Sequence, residues 1–119
     1  MRAVDTNVLV RFFVADNPAQ FRRARRVMEA RAIFIPKTVL LETEWVLRLH
    51  AFGALSGTSE VELEDPDTVL SALAWFAEGI DFADALHMTS RGSATEFLTF
   101  DKQLSSAARK AGVKGVTQP

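Results

Sequence analysis

The sequence predicts an α/β domain on a small, mainly parallel sheet. Short apolar segments at Arg2-Ala3-Val4, Ile33-Phe34-Ile35 and Glu96 to Phe100 alternate with stretches of helical periodicity. The connections are short and punctuated by Gly, Pro, Asn and Asp, the pattern of strand–helix–strand units. At 119 residues and 48% apolar content, the chain can fill one core but not two, so a single domain over residues 1–119 is expected.

Arg2-Ala3-Val4 reads as a buried strand running into a turn at Asp5-Thr6-Asn7, with a brief helix through Val14. Asp16-Asn17-Pro18 breaks that helix and starts another, with Asn17 as cap and Pro18 in the first turn. This second helix is expected to reach about Arg31. It carries Phe21, Ala24, Val27 and Met28 on one face and Arg22, Arg23, Arg25 and Arg26 on the other. A strand at Ile33-Phe34-Ile35 ends at Pro36. Thr38 to Phe52 is then helical, with Gly53 as its stop.

A loop rich in Gly, Ser and Thr and the alternating Glu60 to Glu64 lead to a helix opened by Asp65-Pro66 and ended by Gly79. Asp81 caps a helix to Arg91, stopped at Gly92. The last elements are a strand from Glu96 to Phe100, a helix from Lys102 to Ala111 closed by Gly112, and an edge strand from Val113 to Val116.

A net charge of −1 excludes a bulk polycation, so nucleic-acid binding would need a local basic patch. The absence of cysteine excludes disulfides and thiolate metal sites. The apolar run Val8 to Ala15 is broken by Arg11 and falls far short of the ~20 residues a membrane helix needs. No basic leader precedes it, so a cytoplasmic protein without membrane association is expected.

Four acids, Asp5, Glu42, Asp84 and Asp101, lie in or at the end of apolar runs, where an ionised carboxylate is costly without a partner. Asp5 and Asp101 sit at the carboxyl ends of strands, where ligands bind in open α/β sheets. If their strands are neighbours, the two side chains converge. Each is equally explained as the cap of the helix that follows. Glu42 shares a helical arc with Val39, Val46 and Leu49, a face expected to turn to the core unless Glu42 sits at its rim and reaches out to water, whereas Glu44 pairs at i, i+4 with Arg48 on a solvated face. Asp81 followed by Asp84 has the shape of a capping box, which explains Asp81 and leaves Asp84 open. Clustered carboxylates repel unless a cation neutralises them, and oxygen-only donors suit Mg²⁺ or Mn²⁺. The chemistry that follows is metal-assisted hydrolysis of a phosphodiester.

Val4-Asp5-Thr6-Asn7-Val8-Leu9-Val10, Leu41-Glu42-Thr43-Glu44-Trp45-Val46-Leu47, Phe82-Ala83-Asp84-Ala85-Leu86-His87 and Leu98-Thr99-Phe100-Asp101 together resemble the PIN domain. The chain resembles most its VapC branch, the toxin ribonucleases of toxin–antitoxin pairs. The four motifs follow family order and span essentially the whole chain. The resemblance implies a three-layer α/β/α fold. It implies an endoribonuclease with Asp5, Glu42, Asp84 and Asp101 as both metal ligands and catalytic acids, and Asn7 and Thr99 supporting them through hydrogen bonds. It also implies an RNA substrate, a VapB-like antitoxin and a homodimer.

Arg11, Arg91 and Lys102 are candidate RNA contacts. The arginine run of residues 22–26 reads first as a solvated helix face, with phosphate contact as the alternative. Phe12, Phe13, Trp45 and Trp75 fit either core or interface. The segment Leu49 to Glu64 is shorter than such toxins usually have, which bears on the groove and partner contacts. Two other readings are a non-toxin PIN-like nuclease and a non-catalytic module whose acids hold a cation. A phosphotransfer domain would want a second Asp two residues after Asp5, where Asn7 stands.

Overall fold

β1 (Arg2–Ala3) lies parallel to β2 (Ile33–Phe34), with Arg2 opposite Ile33 and Ala3 opposite Phe34. In this computed structural model residues 1–30 and 32–119 are described, and they form two compact units, Met1–Ala51 and Phe52–Pro119.

In the first unit, α1 (Thr6–Val14) and α2 (Pro18–Met28) connect β1 to β2, and most of α3 (Lys37–Ser56) follows. Asn17 caps α2 as expected, its side chain accepting from the Gln20 N–H at 3.1 Å. The α1–α2 turn is made by Ala15 in the left-handed region, φ 54°, whose N–H returns to the Arg11 carbonyl. α1 packs on α2, and Leu9 and Ala24 are buried there with Val4 at the end of β1. The helix expected to reach Arg31 ends at Met28, because the Ala30 N–H turns back to the Val27 carbonyl and tightens the chain. Arg31 itself lies outside the described residues.

α3 does not stop at Gly53. Gly57 N–H still bonds the Gly53 carbonyl, Ser56 Oγ donates to the same oxygen, and the helix ends at Ser56. Gly53 lacks the left-handed backbone that a terminating glycine adopts, so the stop signal had no conformation to act through.

The second unit contains α4 (Pro66–Ala77), α5 (Phe82–Thr89), β3 (Phe97–Leu98), α6 (Lys102–Ala111) and β4 (Val116–Thr117). Its core is Ala72, Ile80, Ala85, Met88, Leu104 and Ala108. The Phe82 ring lies tilted against those of Phe52, with centroids 4.8 Å apart, and Phe76, 5.6 Å apart. Burial of a side chain the size of Phe76 contributes about 2–3 kcal/mol. β3 and β4 pair in parallel, and the turn before β4 depends on Gly115 at φ 75°, where a Cβ would come within 2.2 Å of the Thr95 carbonyl oxygen.

The α/β class and the parallel pairing are as the sequence predicts. The strands before Asp5 and Asp101 are expected from the sequence to pair with each other; among the described residues β1 pairs with β2 and β3 pairs with β4, each within its own unit. Nor are these strands buried, since Arg2, Ala3 and Leu98 are exposed and Phe100 is 82% exposed. Strands two residues long present too little surface for both faces to be covered. Residues 60–64, despite their alternation, form no strand.

Candidate functional site

Asp5 follows β1 in extended conformation and caps the start of α1. Its Oδ1 accepts the Val8 N–H at 3.1 Å, so the carboxylate is fixed by the helix it starts. Thr6, the next residue, is buried, and its hydroxyl donates to Glu42 Oε2 at 2.5 Å. A charge-assisted bond of this kind is the stronger sort of side-chain hydrogen bond. Asp5, Thr6, Asn7 and Val10 of the first segment face Val39, Glu42 and Val46 of α3 across a cavity of about 210 Å³. The first unit thus gathers two of the predicted acids, and Asn7, around one space.

Glu42 is exposed, contrary to the inward position expected of it. The arc it shares with Val39 and Val46 is real, but that arc faces an open cavity, where water solvates the carboxylate. Thr43 is the buried residue of α3, its Oγ1 without a hydrogen-bond partner among the described residues. Asp5 and Asp101 are exposed too; only Asp84 is half-buried, so the supposed desolvation cost applies to one acid of the four.

In the second unit Asp101 N-caps α6, its Oδ1 accepting from Gln103 N–H at 2.9 Å and Leu104 N–H at 3.0 Å. Thr99 Oγ1 accepts the Asp101 N–H at 3.0 Å, which fixes the backbone just ahead of the cap. Asp81 caps α5 through the Ala83 and Asp84 N–H groups. Asp84 stands in the first turn of that helix with its carboxyl pushed above the usual value. Burial is the main cause, the charges of Asp81 and Asp101 add to it, and His87 opposes it. The ionised form of Asp84 is therefore held at a disadvantage that a nearby cation would relieve.

The remaining candidates are placed more ordinarily. Arg11 pairs with Asp16 at 2.7 Å, and the guanidinium holds that acid below the usual carboxylate range. Arg91 Nη2 donates to the Lys114 carbonyl at 3.1 Å, tying the turn after α5 to the segment before β4. Lys102 is exposed in the first turn of α6. Glu44 and Arg48 form the expected pair at 3.4 Å. Phe13 is exposed, while Phe12, Trp45 and Trp75 are half-buried.

Among the described residues, no group of three or more acidic or imidazole side chains is arranged to hold a metal ion. The acids occur as pairs: Asp5 with Glu42 on one cavity, and Asp84 with Asp101 through their charges. Their donor set is all oxygen, which fits a hard divalent cation and not zinc.

The PIN domain family model matches residues 2–110. The chain belongs to the PIN domain family. The match contains all four acids with Asn7 and Thr99. No curated protein and no solved structure matched at the significance required. PIN domains are generally nucleases that act on nucleic acid with divalent metal ions, and this places the chain among phosphodiester hydrolases at that coarse level. Among the described residues no helix is long and apolar enough to cross a membrane.

Thr6 is the residue that sequence reasoning passed over. The PIN motif Asp5-Thr6-Asn7 drew attention to its acid and amide, yet the hydroxyl between them holds Glu42. The available signal was a hydroxyl residue enclosed by Val4, Val8 and Leu9, which needs a partner once buried.

Proposed function

We propose that this PIN domain is a divalent-metal-dependent endoribonuclease, the cytoplasmic toxin of a VapBC-type pair. In this reading Asp5, Glu42, Asp84 and Asp101 act as the acids of a single domain. The observation that carries it is the Asp5–Glu42 cavity, with Glu42 held by buried Thr6. A structural pair of carboxylates would not need a buried donor to aim one of them at an open space.

A bound Mg²⁺ or Mn²⁺ would acidify a water and offset charge on the phosphodiester. The protein's own part is orientation. The helix caps of α1 and α6 fix Asp5 and Asp101 through Oδ1, leaving each Oδ2 without a hydrogen bond among the described residues. Thr6 fixes Glu42, and Thr99 fixes the backbone of Asp101. Asp84 would gain from a cation, because burial first and the charges of Asp81 and Asp101 second disfavour its ionised form. Asn7 borders the same cavity and is assigned to substrate or solvent positioning. Arg11, Arg91 and Lys102 remain the proposed RNA contacts. A VapB-like antitoxin and a second copy of the chain are the proposed protein partners, with exposed Phe13 available to either.

The test is cleavage of a mixed structured RNA pool by the purified protein in Mg²⁺, Mn²⁺ or EDTA, with Asp5→Asn as control. Metal-dependent cutting that the substitution abolishes supports the assignment. Cutting that survives both EDTA and Asp5→Asn rejects it. Mn²⁺ binding without any cutting favours the non-catalytic module.

A further inference from the structure

Beside the acid-lined cavity lies a larger open pocket, of about 360 Å³, between α1 and α2. α1 contributes Asn7, Val8 and Arg11. α2 contributes Gln20, Arg23, Ala24 and Val27, which fall at i, i+3, i+4 and i+7 and so form one continuous stripe. The volume lies at the lower end of the range for small-ligand pockets, roughly 300–1,000 Å³. Its chemistry is divided. Val8, Ala24 and Val27 form an apolar floor; Asn7 and Gln20 offer amides; Arg11 and Arg23 offer guanidinium groups.

The two arginines differ in commitment. Arg11 is engaged by Asp16, whereas Arg23 is exposed, with no ion pair or hydrogen bond among the described residues. The amide groups of Asn7 and Gln20 are likewise without side-chain hydrogen bonds there. The rest of the arginine run is placed differently: Arg25 pairs with Glu29 at 2.6 Å, and Arg22 and Arg26 project away from the stripe. Asn7 lines both this pocket and the acidic cavity, so the two are adjoining parts of one surface.

We propose that the α1–α2 pocket is a nucleotide subsite. It receives one nucleotide next to the phosphodiester that the acids address, with the base against the Val8–Ala24–Val27 floor and a backbone phosphate on Arg23. An inorganic anion would need no apolar floor, and an apolar peptide side chain would need no guanidinium pair. Only a group that is flat and apolar at one end and anionic at the other uses both. The inference deepens the nuclease reading and rests on it for the position of the neighbouring phosphodiester.

The experiment uses the full chain carrying Asp5→Asn, so that binding is read without cutting. Anisotropy of a labelled single-stranded RNA is followed across about 50–200 mM salt. Adding Arg23→Gln should weaken binding roughly tenfold and reduce the slope of log K against log salt by about 0.7, the value for one phosphate contact on a single strand. Gln20→Ala should weaken binding and leave the slope unchanged, and Arg22→Gln should alter neither. Circular dichroism checks that each variant is folded; these side chains are exposed, so folding is expected to hold.

Arg23→Gln indistinguishable from Arg22→Gln overturns the subsite. So does equal competition by polyglutamate, which would make the pocket a general acidic-peptide site. Failure of the parent to bind RNA at low salt overturns it as well. Arg23-dependent binding in the Asp5→Asn background, together with no cutting by the unsubstituted protein in Mg²⁺ or Mn²⁺, supports the pocket while counting against the nuclease reading, so the two can fail separately.

Discussion

Replacing Thr6 with valine keeps the shape and the β-branch of the side chain and removes only the hydroxyl that Glu42 accepts. A hydrogen bond to a charged acceptor contributes roughly 1.5–3 kcal/mol when enclosed. Here Thr6 is buried but Glu42 is exposed, so solvent competes at one end and about 1 kcal/mol is the appropriate figure. The decisive assay is a double-mutant cycle of Thr6→Val, Glu42→Ala and the pair together, each followed by urea unfolding. With a urea m-value of about 1–3 kcal/mol/M, that coupling moves the midpoint by roughly 0.3–1 M. Thr6→Val should also lower nuclease activity, since Glu42 loses its orientation. A coupling below about 0.3 kcal/mol would falsify the argument that Thr6 positions Glu42, because independent sites already scatter by that amount.

Asp5 and Asp101 serve both as caps and as proposed ligands, and asparagine separates the roles because it caps about as well as aspartate. Asp101→Asn should stay within a few tenths of a kcal/mol of the parent yet lose activity, whereas Asp101→Ala should lose about 1 kcal/mol as well, read by thermal unfolding. The pKa of Asp84 is raised in the folded state from 3.8, so its ionised form opposes folding at neutral pH. That opposition vanishes below 3.8, where the folded and unfolded states are both protonated. In EDTA, Asp84→Asn should therefore raise Tm at pH 7 and make no difference near about pH 3; a lower Tm at pH 7 would contradict burial as the cause. Gly115→Ala should cost about 2–3 kcal/mol, through its positive φ and the clash with the Thr95 carbonyl. Gly53→Ala, inside α3 with open space around it, should add up to about 1 kcal/mol by the same measurement.

Caps were the most legible part of the chain. Asn17 before Pro18, Asp81 before Phe82, and Asp101 with Gly112 around α6 all act over one turn, and the structure uses each as the sequence suggests. Periodicity told which way Glu42 points but not what lies there, because a helical arc specifies direction and leaves its surroundings open. Strand pairing was misread for a related reason. Two-residue strands such as Arg2–Ala3 and Phe97–Leu98 carry no period from which a partner or a buried face can be inferred. The four acids were recognisable through their motifs, whereas the Thr6 bond spans 36 positions and leaves no local trace.

β4 has a consequence for where this chain can be shortened. The family match ends at residue 110, yet the Phe97 N–H bonds the Gly115 carbonyl at 2.7 Å and the Thr99 N–H bonds that of Thr117 at 2.9 Å. Those two amides flank the backbone that delivers Thr99, and through it Asp101, to the start of α6. The edge of homology is therefore not the edge of the folding unit. A chain trimmed at residue 110 would keep every motif residue and lose the rail on which one of them is mounted.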